Sequence, residues 1–109
     1  MAALKDVIKA EYEIIADGMA WVVIYKKGRS WESASFWEED NYGDCVDFSK
    51  EDIEDMKAIA RIDSNAICIN GYQMGFGYDF TRTQMENKVL WMYTSHLNQL
   101  RGDFISVLS

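Results

Sequence analysis

Proline is absent from this 109-residue sequence, so helix ends and turns have to be set by glycine, asparagine and capping side chains. Histidine occurs once, as His96, and cysteine twice, as Cys45 and Cys68. Those three residues supply none of the common zinc-ligand spacings, and no set of nucleophile, base and orienting group can be assembled from them. The first residues, Met1 to Asp6, meet Lys5 and Asp6 before any apolar run long enough for a signal peptide. Two free thiols in a reducing, cytoplasmic setting are therefore expected. No window approaches the length of a membrane span. Basic residues are also scarce: eleven Lys and Arg stand against eighteen Asp and Glu, a net charge of −7. That balance disfavours direct binding to nucleic acid or to an anionic membrane and points to basic or neutral partners.

What is present is enough apolar surface, 49% of residues, to offset the entropy of ordering one chain of this length. A single α+β domain over residues 1–109 is expected. Leu4, Val7, Ile8, Tyr12 and Ile15 recur at helical spacing and predict a helix over 3–16 that Gly18 ends. Residues 19–26, with Trp21-Val22-Val23-Ile24-Tyr25 at their centre, suit a strand buried on both faces. Lys27-Gly28 reads as a tight turn. Residues 30–38 then alternate Trp31, Ser33, Ser35 and Trp37 against Glu32, Ala34, Phe36 and Glu38, which predicts a hairpin.

Residues 39–47 have the composition of an exposed loop. Ser49 is a suitable N-cap, with Asp52 at the third helical position and Phe48 placed to pack on Ile53, and Ile53, Met56, Ile59 and Ala60 form the apolar stripe of a helix over 50–62. Ala66-Ile67-Cys68-Ile69, Asn70-Gly71 and Tyr72 to Phe76 read as a second hairpin, because Asn-Gly supplies the backbone of a type I′ turn. Thr83 with Glu86 reads as the capping box of a helix over 84–101, with His96 partly buried on its apolar side and Gly102 closing it. The predicted order is α-β-β-α-β-β-α, a four-stranded, mainly antiparallel sheet packed on one side by three helices.

The charge is not spread evenly. Between residues 32 and 55 lie ten acidic residues and one basic residue, Lys50, leaving eight of the eighteen acidic residues against ten of the eleven basic ones elsewhere. The preference for carboxylates in a helix's first turn accounts for part of this cluster. A solvated loop and helix face would account for the rest, and so would a docking surface that occupies a basic groove. On the second reading the partner-contacting residues are Glu32, Trp37, Glu38, Glu39, Asp40, Tyr42, Asp44, Asp47, Glu51, Glu54 and Asp55. Trp31, Phe36, Trp37 and Tyr42 lie beside these carboxylates, and two of the four are expected in the core.

Catalysis is less well supported. Asp40, Asp44 and Asp47 do not have the spacing of an EF-hand loop, so no metal and no cofactor is expected. Cys45 beside Asp44 and Asp47 has its thiolate disfavoured, and Cys68 reads as a core thiol. Lys26-Lys27-Gly28-Arg29 is a basic hairpin tip, not a phosphate loop. A small carboxylate- or divalent-metal-dependent enzyme around Glu38 to Asp47 stays open as an alternative. So does an oligomer subunit that pairs through Phe104, Ile105, Val107 and Leu108, residues that could equally add an edge strand to their own sheet.

In overall character, an acidic segment on a small and otherwise slightly basic domain, the chain resembles the small acidic proteins that phages and other mobile elements use against host nucleases, anti-CRISPR and DNA-mimic inhibitors among them. The resemblance covers no motif, and those proteins share no common fold. It implies a non-catalytic inhibitor that obstructs a basic, nucleic-acid-handling partner such as a CRISPR or restriction nuclease.

Overall fold

The computed structural model describes residues 2–18, 20–41, 45–76 and 79–108, the backbone alone being described within 39–47. Its elements are helices α1 (Leu4–Ala10) and α2 (Tyr12–Asp17), strands β1 (Ala20–Lys27), β2 (Ser30–Trp37), β3 (Glu39–Asn41) and β4 (Cys45–Asp47), helix α3 (Lys50–Ile62), strand β5 (Ile67–Asn70), and helices α4 (Arg82–Ser95) and α5 (Leu97–Leu108). The main sheet is antiparallel, three-stranded and ordered β2-β1-β5; β3 and β4 form a separate two-stranded ribbon. The fold is therefore α+β, as expected, but with five helices among the described residues and without the fourth sheet strand.

The first hairpin forms, with its turn one residue later than the predicted Lys27-Gly28. Ala20 pairs with Trp37 and Lys27 with Ser30, so the connection is Gly28-Arg29, and Gly28 takes a φ of 63° that a side chain would resist. As the central strand, β1 is buried on both faces. Val22 and Ile24, with Ile67 and Ile69 of β5, join one core whose other walls come from α1, α2, α4 and Leu100. Val23, with Cys68 and Ala66, joins a second core under Met56 and Ile59 of α3 and Phe104 of α5. Helices thus cover both faces, not one, because every residue of β5 and three in succession on β1 are buried and each face needs its own cover.

The second hairpin does not form. Asn70 is buried, and its Oδ1 accepts the Gln73 N–H at 2.8 Å while its backbone carbonyl accepts the Met74 N–H at 3.1 Å. These bonds turn the chain away from the sheet directly after β5. Gly71 is required there by proximity: a Cβ at that position would overlap the Ile15 carbonyl oxygen and lie 2.9 Å from its carbonyl carbon.

The long C-terminal helix is two helices. Its capping box is Thr81 with Gln84, two residues before the predicted pair: the Gln84 N–H donates to Thr81 Oγ1 at 3.1 Å and the Thr81 N–H to Gln84 Oε1 at 2.9 Å. The first segment ends at His96, which is exposed, not partly buried, and meets Trp91 edge-on at 4.8 Å between ring centres. The break redirects α5 so that it packs along β5, the sheet's outer strand on that side, with Leu100 in one core and Phe104 in the other. A helix in that position shields a sheet edge. Gly102 lies inside α5 and does not end it, and the apolar tail from Phe104 to Leu108 is helical instead of an added strand.

At the N-terminus the predicted helix over 3–16 is broken at Glu11 (φ −91°, ψ 12°), where the carboxylate accepts the Ser33 hydroxyl at 2.7 Å. Gly18 ends α2 in the left-handed conformation, as predicted.

Candidate functional site

The best-described part of the acidic stretch is α3. Its start is fixed by Ser49, whose Oγ accepts the Asp52 N–H at 3.1 Å, and Phe48 and Ile53 both join the core beneath the helix. Burial of Met56 and Ile59 against β1 then turns the opposite face outward, so that Glu51, Glu54 and Asp55 are all exposed. Positions three and four apart are neighbours on a helix surface, which makes these carboxylates one patch. Among the described residues an ion pair on this face joins Glu54 to Lys57 at 3.9 Å, and both side chains are exposed. A pair of that kind adds little stability, and residues 50–57 carry four carboxylates against Lys50 and Lys57, so the segment stays net negative.

Next to the patch lies a groove that periodicity in the sequence does not reveal. Phe48 and Ile53 from the start of α3 meet Val107 and Leu108 from the end of α5 across a cavity of about 530 Å³, with Lys50, Glu54 and Lys57 around its rim. An apolar floor inside a charged rim is the composition of a protein-binding surface. Half of that floor comes from the tail residues that reading strand by strand assigns to an edge. Only the helical course of α5, which follows from the break at His96, brings them to α3.

The remaining candidates are dispersed. Glu32 is exposed, and its Oε2 accepts the Tyr25 hydroxyl at 3.2 Å. Burial first, then this bond and the neighbouring charge, raises the Tyr25 hydroxyl above its ordinary pKa. Glu32 lies five residues from Trp37 along β2, roughly 17 Å at a strand's rise per residue, so it is separate from the rest of the acidic stretch. Trp37 is 49% exposed at the end of that strand, and Glu38 is half-buried just beyond it. Of the four aromatics beside the carboxylates, Phe36 is buried and Trp31 half-buried, the latter edge-on to Tyr93 at 5.8 Å. Glu39 and Asp40 fall on β3 and Asp47 on β4, with Glu39 and Asp47 register partners in the ribbon. The side chains of these three and of Cys45 lie outside the described residues, as do Tyr42 and Asp44 entirely.

Among the described residues no three His, Cys, Asp or Glu side chains gather where they could hold a metal ion. Cys68 is buried, and burial, with the charge of Asp103, pushes its thiol far above the ordinary range, which leaves it inert as a nucleophile. No helix among the described residues is long and apolar enough to cross a membrane.

A family model described as Large polyvalent-protein-associated domain 15 matches residues 2–103. No curated protein and no solved structure matches the chain. The chain belongs to this family, whose domains are associated with the large polyvalent proteins of phages and mobile elements.

Proposed function

We propose that the chain, as a domain of that family, is a non-catalytic protein-binding module that docks through its acidic stretch onto a basic, nucleic-acid-handling partner. The observation that carries this reading is the juxtaposition on α3: Glu51, Glu54 and Asp55 stand exposed beside the groove floored by Phe48, Ile53, Val107 and Leu108. The carboxylates supply long-range attraction to lysine and arginine and fast, salt-sensitive association. The groove supplies a place for an apolar anchor, the kind of contact that dominates interface energies. Glu38, Glu39, Asp40, Asp44 and Asp47, with Trp37 and Tyr42 among them, belong to the same acidic stretch of the sequence.

The narrower form of the reading is an inhibitor. A patch of carboxylates occupying a phosphate-binding groove would obstruct a CRISPR or restriction nuclease, and the family's association with large polyvalent proteins of phages and mobile elements supports this form of the reading. The test is reversal of Glu38, Glu51, Glu54 and Asp55 to lysine, followed by affinity capture from the source cell. The reading expects basic proteins in the wild-type capture, their loss from the reversed variant, and an unchanged circular dichroism spectrum. Partners retained at full yield after the reversal would sink it.

A further inference from the structure

At the opposite end of β2, six residues and roughly 20 Å of strand from Trp37, the surface has the other sign. Lys26 is the penultimate residue of β1, with Lys27 and Arg29 following at the hairpin tip, and Arg101 comes up beside it from α5. Between them is a cleft of about 260 Å³ lined by Lys26, Trp31, Asp63, Asn65, Tyr93 and Arg101. The Arg101 Nε is buried and has no hydrogen-bond partner among the described residues. A buried donor without an acceptor is costly, and in a folded protein it calls for an explanation.

The other groups in the cleft suggest what the acceptor is. Lys26 places its ammonium 5.9 Å from the centre of the Trp31 ring, and Trp31 and Tyr93 form an aromatic wall. Asp63 is already committed: one carboxylate oxygen accepts the Lys26 N–H at 2.8 Å and the other the Asn65 N–H at 2.9 Å, tying the hairpin to the loop after α3. Two cations therefore face a single carboxylate whose role is structural, so the cleft is locally positive on a chain of net charge −7.

We propose that this cleft binds a nucleoside monophosphate by chemical class, with Arg101 and Lys26 donating to its phosphate and the Trp31–Tyr93 wall contacting its base. Arginine's planar fork matches phosphate geometry, and ring faces stack on aromatic side chains. At about 260 Å³ the cleft is on the scale of one nucleotide and too small for a dinucleotide.

The test is an NMR titration of the full chain with adenosine monophosphate, adenosine and inorganic phosphate, each taken into the millimolar range. Adenosine monophosphate should give saturable shifts at the amides of Lys26, Asn65 and Arg101, and each of the other two probes should bind more weakly. Arg101→Met keeps the aliphatic stem and removes the unpartnered donor. It should weaken adenosine monophosphate binding by roughly tenfold or more while leaving the melting temperature equal or higher. Absence of saturable shifts with adenosine monophosphate, or an affinity unchanged in Arg101→Met, would overturn the site. Phosphate alone matching the nucleotide's affinity would overturn the role of the ring.

Discussion

Replacing Gly71 by alanine adds one methyl group at the point where β5 passes the end of α2. The new Cβ would sit 2.9 Å from the Ile15 carbonyl carbon and closer still to its oxygen, whereas ordinary van der Waals contact begins at 3.4 Å. The obstruction is backbone, so no rotamer change relieves it. Relief requires α2 and the end of β5 to separate, which strains the Phe76 N–H bond to the Gly71 carbonyl (2.8 Å) and the packing of Ile15, a fully buried residue. Overpacking a core costs roughly 1–3 kcal/mol when side chains can yield, and a backbone obstruction belongs at or above the top of that range. About 3 kcal/mol at roughly 4–8 °C per kcal/mol lowers the melting temperature by roughly 12–24 °C. Thermal unfolding followed by circular dichroism measures this directly. Gly102→Ala is the matched control: that glycine lies inside α5 with nothing within 4 Å of an added Cβ, so alanine should stabilise the protein by roughly 0.5–1 kcal/mol. A Gly71→Ala melting temperature within a few degrees of wild type would refute the reasoning, and with it the close approach of α2 and β5.

Burial raises the Asp103 carboxyl above the ordinary carboxylate range. The folded state therefore holds that proton more tightly than the unfolded state, and the group's favourable contribution, complete at low pH, is lost as pH rises from the ordinary carboxylate pKa through the raised one. Asp103→Asn should be more stable than wild type at neutral pH, with the advantage shrinking toward about pH 3; urea titrations at several pH values would show this, and a pH-independent difference would contradict it. Ser49→Ala removes the acceptor for the Asp52 N–H and should cost about 1 kcal/mol in the same assay. Phe104→Ala should cost roughly 3–5 kcal/mol, since Phe104 closes the core beneath α3, and size-exclusion chromatography combined with unfolding would separate this folding role from a role in oligomer contacts.

Elements whose signal is local were legible in the sequence. The run of apolar residues in β1, the alternation in β2 and the Ser49 cap with its apolar stripe each specify an element without reference to the rest of the chain, and α3 occupies the predicted 50–62. Where local chemistry fits two structures, tertiary contact decides. Asn70-Gly71 fits a hairpin turn, but here the asparagine is buried and binds Gln73, and the glycine makes room for Ile15. Thr81 and Thr83 each precede a residue able to complete a capping box, and the first is used. The break at His96 has no glycine or proline to announce it; it follows from the need of α5 to cross from one core to the other. The same limit applies to the candidate site. The carboxylates of α3 could be found by counting charge, but the groove beside them joins residues more than fifty positions apart.

The central claim, that the exposed face of α3 is a docking surface for a basic partner, is tested most directly by reversing Glu51, Glu54 and Asp55 to lysine together and measuring affinity for a captured partner across a salt series. The wild-type chain should lose affinity steeply as salt rises, and the triple variant should bind at least tenfold more weakly at low salt with an unchanged melting curve. An affinity equal to wild type at every salt concentration would contradict the claim.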